Sequence, residues 1–185
     1  MSQLEGWTVA TIPLDVCQKL VAEYHYTGGG SNTAVYRHGL QDLAGRTRGC
    51  CWWLPPTKGA AKYVYPEGDW RKVLTLSRLV LDPDVPKNGA SYMLGRSMRL
   101  IQEDHKWECL VTYADEGQGH TGAIYLATNW EPIGKTVPTA HWVDSKGRFV
   151  ARKAGPKTRT NAEMESLGYH VVAPTAKRRF RKVLL

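Results

Sequence analysis

Cysteine is scarce in this chain, and its few cysteines are not spaced like metal ligands. Of 185 residues four are cysteine, at positions 17, 50, 51 and 109, and no two form a C-x-x-C pair. Zinc sites and disulfide frameworks need cysteines at regular spacings. We therefore expect buried free thiols, which favours a cytoplasmic protein.

Long apolar runs and the common catalytic motifs are also missing. No stretch approaches the roughly 20 apolar residues that cross a bilayer, and residues 1–7 do not read as a secretory leader. The sequence has no G-x-S-x-G, H-E-x-x-H or P-loop motif, so it contains no familiar hydrolase or kinase set. We expect a single domain over residues 1–185 that does not associate with membranes.

Basic residues are concentrated towards the C-terminus. Residues 146–185 hold eleven lysines and arginines against two glutamates, a net charge of +9, whereas residues 1–145 carry −1. Aromatic and apolar residues are interleaved with these charges, so this basic region is expected to fold. A folded basic face favours a nucleic-acid partner. The alternatives are a solubilising tail, an acidic protein partner or a membrane surface.

Two segments in the middle of the chain each read as a strand, a polar turn and a helix. The first predicts a strand over Val73–Leu81 and a helix over Ala90–Asp104. The second predicts a strand over Cys109–Tyr113 and a helix over Thr121–Trp130. A turn that opens into a helix presents free N–H groups and the positive end of the helix dipole. The tandem arrangement predicts an α/β enzyme that holds a phosphorylated cofactor at its strand ends.

Periodicity and turn signals predict the other elements. We expect a first helix that ends near His25, a flexible glycine turn over residues 27–32, and a loosely structured stretch from Gly59 to Trp70. A capping box at Thr160–Glu163 predicts a short helix. The remaining strands are expected in three pairs: Ala34–Leu40 with Gly49–Leu54, His141–Val143 with Arg148–Val150, and Tyr169–Val172 with Phe180–Leu184.

Polar residues next to these elements are candidates for chemistry. His25 and Tyr26 precede the glycines and suit an acid, a base or a ligand, although an ordinary helix end explains them equally. Arg78 interrupts an apolar strand, where a charge is costly unless it is exposed or paired. Either an ion pair with Asp82 or Asp115, or the binding of an anionic substrate, would account for Arg78.

The two turns supply further candidates. In the first turn, Lys87 offers charge, Gly89 allows close backbone approach and Ser91 offers a hydroxyl, which suits a phosphate; Ser91 is equally explained as a helix cap. Asp115, followed by His120 and Tyr125, ends the second strand and suits proton transfer or a transition metal such as iron. A turn cap for Asp115 and a core aromatic for Tyr125 are the alternatives.

Several motifs resemble the phage Mom family of DNA-modification proteins, a divergent branch of the GNAT acyltransferase superfamily. They are L-S-R-L-V from Leu76, P-x-N-x-x-S from Pro86, Y-A-D from Tyr113, G-H-x-G-x-I-Y-x-A-x-N-W from Gly119, His25-Tyr26, and W-W-L-P-P-T-K from Trp52. The usual GNAT signature R/Q-x-x-G-x-G/A is replaced by K-N-G-A-S at residues 87–91. The resemblance implies a GNAT-like α+β fold, with a mixed, mostly antiparallel sheet whose central strands splay apart between flanking helices.

The resemblance also implies an activity: conversion of adenine in phage DNA to N6-(methylcarbamoyl)adenine, which protects the DNA from restriction in the host cytoplasm. It implies acetyl-coenzyme A as cofactor, associates iron with the family and leaves the metal ligands open. Double-stranded DNA would bind through the basic region 146–185. The implied catalytic residues are His25, Tyr26, Arg78, Asp115 and Tyr125. The implied pyrophosphate site is the turn Lys87, Asn88, Gly89, Ala90 and Ser91.

The chemistry of adenine leaves other functions open. Its exocyclic amine is a poor nucleophile, and attack on a thioester would give an acetyl group, so a metal-dependent step is one hypothesis. A duplex would have to extrude the base, on which Trp or Tyr side chains would stack. The alternatives are a conventional acetyltransferase for a protein or small-molecule amine, and a nucleic-acid-binding module that has kept an acyltransferase-like core.

Overall fold

The computed structural model describes residues 3–30 and 33–184, and within them the chain forms one large and two small sheets with flanking helices. The strands are β1 (Thr8–Thr11), β2 (Tyr36–Gln41), β3 (Thr47–Leu54), β4 (Val73–Leu81), β5 (Cys109–Asp115), β6 (Glu131–Lys135), β7 (Thr139–Val143), β8 (Phe149–Val150), β9 (Lys153–Ala154), β10 (Lys157–Thr158), β11 (His170–Thr175) and β12 (Lys177–Val183). The helices are α1 (Leu14–Tyr24), α2 (Lys58–Val64), α3 (Gly89–Glu103), α4 (Ala123–Ala127) and α5 (Asn161–Ser166). In the predicted glycine turn, Ser31 and Asn32 lie outside the described residues.

The large sheet has seven strands in the order β1-β2-β3-β4-β5-β12-β6. Its strands pair antiparallel except for β4 and β5, which are parallel. That parallel pairing joins Val73–Thr75 to Cys109–Val111 and then stops, although both strands continue. β4 remains bonded to β3, and β5 to β12, so the two central strands part and leave a gap between them. The mixed sheet with splayed central strands is confirmed.

Helices cover both faces of this sheet because successive strand residues point to opposite sides. On β3, Cys50 and Trp52 pack with the buried residues of α1, while Cys51 and Trp53 pack with those of α3. The predicted apolar face of α3, which is Met93, Leu94, Met98 and Ile101, lies in the core. All four cysteines are buried and free, as expected from their spacing.

The prediction of a loose stretch after Gly59 was wrong for its first half, which belongs to α2. The side chain of Thr57 caps this helix by accepting a hydrogen bond from the Ala60 N–H. Ala61 and Val64 then pack against Val73 and its neighbours on β5. A helix of seven residues that buries only two side chains shows little periodicity, and the preceding prolines read as a breaker.

The last predicted strand pair was also wrong in its pairing. Both strands exist, but β11 pairs with β7 in a small sheet of order β11-β7-β8, whereas β12 lies between β5 and β6 of the large sheet. Only Ala176 separates β11 from β12, and a tight hairpin needs at least two loop residues. The chain therefore crosses from one sheet to the other. The hairpin of β7 with β8 and the capping box at Thr160 are confirmed.

No helix within the described ranges is both long enough and apolar enough to cross a membrane.

Candidate active site at the open end of the splayed strands

Tyr26 and Asp115 form the centre of the candidate site. Asp115 is the last residue of β5 and is 4% exposed, and Tyr26 follows α1. The Tyr26 hydroxyl lies 3.5 Å from Asp115 Oδ2, at the outer limit of a hydrogen bond. Burial and then the negative charge of Asp115 raise the pKa of Tyr26 to about 12. The phenol therefore keeps its proton at neutral pH and can act as a hydrogen-bond donor.

Lys177 balances the charge of Asp115. Its Nζ lies 3.1 Å from Asp115 Oδ2, and the two residues are register partners on β12 and β5. The Gly117 N–H donates to Asp115 Oδ1 at 3.1 Å, which makes Asp115 the cap of the following turn as well. Sequence reasoning counted Lys177 only within the basic region. Its place opposite Asp115 depends on the register of β12, which no local motif specifies.

His25 is neutral and is held beside Tyr26. The two rings stack with centroids 4.5 Å apart, and the Thr27 N–H donates to His25 Nδ1 at 3.2 Å. Burial, and then the positive charges nearby, foremost Arg78, lower the pKa of His25 to about 4. Because Nδ1 accepts a hydrogen bond, Nε2 carries the proton. The backbone N–H of His25 also closes α1, so the residue both ends the helix and lies at the site.

Arg78 has no carboxylate partner among the described residues, so the ion-pair explanation was wrong. Its Nε donates to Gly29 O at 2.9 Å and its Nη1 to Ser77 O at 2.7 Å. The carboxylates proposed as its partners pair elsewhere, Asp82 with Arg48 and Asp115 with Lys177. Burial lowers the pKa of Arg78, but an arginine remains charged at any physiological pH. Its remaining N–H groups are free to bind an anion.

Tyr125 is a core aromatic that also lines the first cavity, and its catalytic role stays a prediction. It is 9% exposed and its ring lies 5.2 Å from the Phe180 ring and 5.8 Å from the Trp130 ring, within the core. It also lines the gap between the splayed strands. Burial raises its pKa, which a hydrogen bond with Thr112 partly offsets. The phenol is therefore protonated at neutral pH.

Two cavities meet at Tyr26 and Asp115. The first has a volume of about 290 Å³ and is lined by the splayed ends of β4 and β5 and by residues 119–125. The second has a volume of about 470 Å³ and is lined by Arg78, Lys177 and one face of the small sheet β11-β7-β8. Tyr26 and Asp115 are common to both linings. The pair is thus accessible from two sides, which suits a transfer between two bound molecules.

The predicted pyrophosphate turn lines neither of these cavities and lies at the N-terminus of α3. Asn88 adopts a left-handed conformation with φ 70°, and a side chain on Gly89 would collide with Val85. The Ser91 hydroxyl donates to Asn88 O at 3.0 Å, so it bonds within the turn. The amides of Ala90 and Ser91 have no partner within the described ranges, and the Lys87 side chain is exposed. An anion site remains a prediction here, based on these free amides and this charge.

The described side chains do not form an iron site of the type with two histidines and a carboxylate. Many non-haem iron enzymes hold the metal with that triad. Nowhere in residues 3–30 and 33–184 do three His, Cys, Asp or Glu side chains come together within reach of one metal ion. The iron suggested by the family resemblance therefore does not fit a triad of this kind here, and no chemical step is assigned to it below.

Comparison with known proteins identifies the family. The model of the Mom protein family matches residues 6–184. The chain belongs to the Mom protein family. The curated protein named methylcarbamoylase mom, from Escherichia phage Mu, is 26% identical to it over 144 residues, which are 75% of this chain and 58% of that protein. The chain thus spans less than two thirds of the length of this Mom relative.

Solved structures show that the Mom chain has a GNAT-like fold. An agmatine N-acetyltransferase matches 97% of the chain, over all of its own length, with a TM-score of 0.58 and 10% identity. The spermidine N-acetyltransferase of Vibrio cholerae, solved with coenzyme A and spermine, matches 97% of the chain over 96% of its own length, with a TM-score of 0.56 and 7% identity. At such low identity the likeness concerns the fold alone.

Proposed function

We propose that this Mom protein converts adenine in DNA to N6-(methylcarbamoyl)adenine and so protects phage DNA from restriction. The observation that carries the proposal is the match to the Mom family over residues 6–184. The relative from phage Mu, named a methylcarbamoylase, supports the reaction class. The position of Tyr26 and Asp115 between two cavities supports a transfer reaction.

The acyl-coenzyme A would bind in the first cavity. Beyond Thr75 and Val111 no backbone ladder joins β4 to β5, although the Thr112 hydroxyl donates to Leu76 O at 3.3 Å. Backbone groups that face the gap beyond this bond would be available to amide groups of a ligand. The free amides of Ala90 and Ser91, with the charge of Lys87, would hold the pyrophosphate at the start of α3. The coenzyme A in the Vibrio cholerae acetyltransferase supports this choice of cofactor.

Asp115 would accept the proton that the acceptor amine loses when the group is transferred. Attack of N6 on an acetyl thioester would give acetyladenine and free coenzyme A, so the methylcarbamoyl product needs a donor whose carbonyl carries a methylamino nitrogen. The bond between that carbonyl and its leaving group would break as the bond to N6 forms. Adenine N6 is a weak nucleophile because its lone pair is delocalised, and a carboxylate that accepts its N–H hydrogen increases the electron density on nitrogen. Until the substrate binds, the positive charge of Lys177 would balance the negative charge of this buried carboxylate. The protonated phenol of Tyr26 and the Nε2–H of His25 would donate hydrogen bonds to the developing negative charge. Tyr125 would close the inner end of the first cavity and relay a proton.

Mass spectrometry of nucleosides from plasmid DNA tests the proposal directly. Cells that express the chain should yield an adenine nucleoside heavier by about 57 Da, the methylcarbamoyl shift, rather than about 42 Da for acetyl. Loss of a general base costs about 10²–10⁴ in rate, so Asp115→Asn should reduce the modified fraction by about 100-fold or more. Asp84→Asn is the matched control because the Asp84 side chain is 84% exposed.

Restriction digestion of the same plasmid gives a second readout. We expect resistance with the unchanged chain and with Asp84→Asn, and cleavage with Asp115→Asn. Retained resistance in Asp115→Asn would remove this residue from the catalytic set. Unmodified DNA in cells with well-folded protein would refute the proposed function itself.

A conventional N-acetyltransferase is the second candidate. Two of the structural neighbours are named as N-acetyltransferases of amines, one of spermidine and one of agmatine. This function predicts release of free coenzyme A from acetyl-coenzyme A when a protein or small-molecule amine is supplied without DNA. A thiol-release assay with and without duplex DNA separates the two candidates. A DNA-binding module without activity would release no thiol and leave the nucleosides unchanged.

A further inference from the structure

We propose that the second cavity is the pocket for the extruded adenine, with Phe149 and His141 as its stacking wall. This inference deepens the proposed function and rests on DNA adenine being the acceptor. The cavity of about 470 Å³ lies within the range of small-molecule sites. It has Tyr26 and Asp115 in common with the cofactor gap, so a base bound there reaches the proposed reaction centre.

One face of the small sheet forms the apolar wall of this pocket. His141 and Val143 on β7 point to the same side, and their cross-strand partners, Val172 on β11 and Phe149 on β8, share that side. All four line the cavity. The rings of His141 and Phe149 lie 6.2 Å apart at 62°. Phe149 is 47% exposed, so its ring face is available to a base.

Of the Trp and Tyr side chains expected to stack on the base, the tryptophans are not available, whereas Tyr26 lines the cavity. Five of the seven tryptophans are at most 7% exposed, because they pack in the cores: Trp52, Trp53, Trp107, Trp130 and Trp142. None of the seven lines either cavity. An exposed phenylalanine beside a polar centre therefore provides the stacking surface that the buried residues cannot.

The opposite wall of the pocket is polar and partly unsatisfied. Arg78 presents N–H groups that have no partner among the residues that the structure describes, and Asp115 presents the carboxylate that would accept the adenine N6–H. Thr175 also lines the cavity, but its Oγ1 is fully buried and has no hydrogen-bond partner among the described residues, so it does not face a ligand. The Arg78 donors and the Asp115 acceptor are the polar groups of this wall. The edge of a purine supplies complementary acceptors and donors.

A basic residue lies next to the lining of the pocket. Gly147 lines the cavity, and its neighbour Lys146 is exposed; Lys153 on β9 is a second exposed lysine of the basic region. Neither lysine has a carboxylate partner in the part of the chain that the structure describes, unlike Arg148, which pairs with Asp144. Lysines free of carboxylates in this region would bind the phosphates on either side of an extruded nucleotide.

A binding experiment tests the pocket without requiring catalysis. Fluorescence anisotropy at fixed salt measures the affinity of the full chain for two duplexes. The duplexes differ only in what stands opposite one adenine, which is thymine in the first and an abasic site in the second. An unpaired base costs least to extrude, so the unchanged chain should bind the second duplex about tenfold more tightly. Phe149→Ala and His141→Ala should each reduce this preference to about threefold or less, because stacking contributes a large part of base binding.

Val171→Ala is the matched control. Val171 is a neighbour of Val172 on β11, but it is the register partner of Trp142 and lies on the opposite face of the small sheet. This variant should keep the full preference. Equal preferences in Phe149→Ala, His141→Ala and the control would overturn the assignment of the pocket, and so would the absence of any preference in the unchanged chain. A preference that depends on Phe149, in a chain that leaves plasmid adenine unmodified, would support the pocket and refute the proposed activity.

Discussion

Replacing Gly122 with alanine tests how tightly the loop before α4 is fixed against the core. Gly122 has φ +80°, and a Cβ built on it would lie 2.3 Å from the ring of Phe180, which is fully buried. The left-handed conformation costs a non-glycine residue about 1–2 kcal/mol, and forcing an extra carbon into a packed core costs about 1–3 kcal/mol. We therefore expect Gly122→Ala to lower the free energy of unfolding by about 2–5 kcal/mol.

Gly119 provides the control for this measurement. It has φ +71°, but no atom lies within 4 Å of a Cβ built there. Gly119→Ala therefore bears only the conformational cost, about 1–2 kcal/mol. Urea unfolding of the unchanged chain and the two variants at one pH gives the comparison. Equal losses in both variants, within the error of the extrapolation, would refute the reasoning, because they would show that Phe180 yields freely to the added methyl group.

Three further predictions concern charge. Lys177→Met leaves the buried Asp115 carboxylate unpaired, so the yield of modified adenine, measured by mass spectrometry, should fall by about tenfold, or roughly 1.4 kcal/mol. Burial lowers the pKa of His38 from 6.5 to about 4, so the folded state favours the neutral ring and loses stability as the pH falls below 6.5. At pH 5 this loss amounts to about 2 kcal/mol. Urea unfolding at pH 8 and pH 5 should therefore show a smaller difference in the free energy of unfolding between the two pH values for His38→Gln than for the unchanged chain. The double variant Lys146→Ala and Lys153→Ala should reduce the slope of the logarithm of the DNA-binding constant against the logarithm of the salt concentration by about 2. An unchanged slope would show that these two lysines do not bind the DNA phosphates.

Much of the fold and several residues of the candidate site were predictable from the sequence. Strand alternation and helix periodicity identified β4, α3 and β5 nearly to the residue, because long periodic elements carry a strong signal. Position at a strand end selected Asp115, and the structure brings it within 3.5 Å of the Tyr26 hydroxyl. Family motifs, rather than periodicity, connected Tyr26 and Asp115, which are 89 positions apart in sequence.

Pairing between distant segments was not predictable in the same way. Lys177 and Asp115 meet only because β12 adopts one register against β5, and a shift of one residue would turn each side chain to the other face. The second cavity likewise depends on the small sheet facing the end of β5, and no residue pattern encodes that arrangement. The sequence also could not show which residues of the basic region are free to bind an anion. Arg181, for example, forms ion pairs with Glu67 and Glu131, which lie far from it in sequence.

The insertion of β12 between β5 and β6 has a consequence for how the chain folds. Every partner of β12 precedes it by at least 40 positions, and β6 joins the large sheet only through β12. Contacts between such distant segments form late, because the loops that they close lose much chain entropy. Lys177 comes from this same strand, so the carboxylate of Asp115 receives its counter-charge only when the sheet is complete. Completion of the sheet and neutralisation of the buried Asp115 charge are therefore coupled in the folding of this chain.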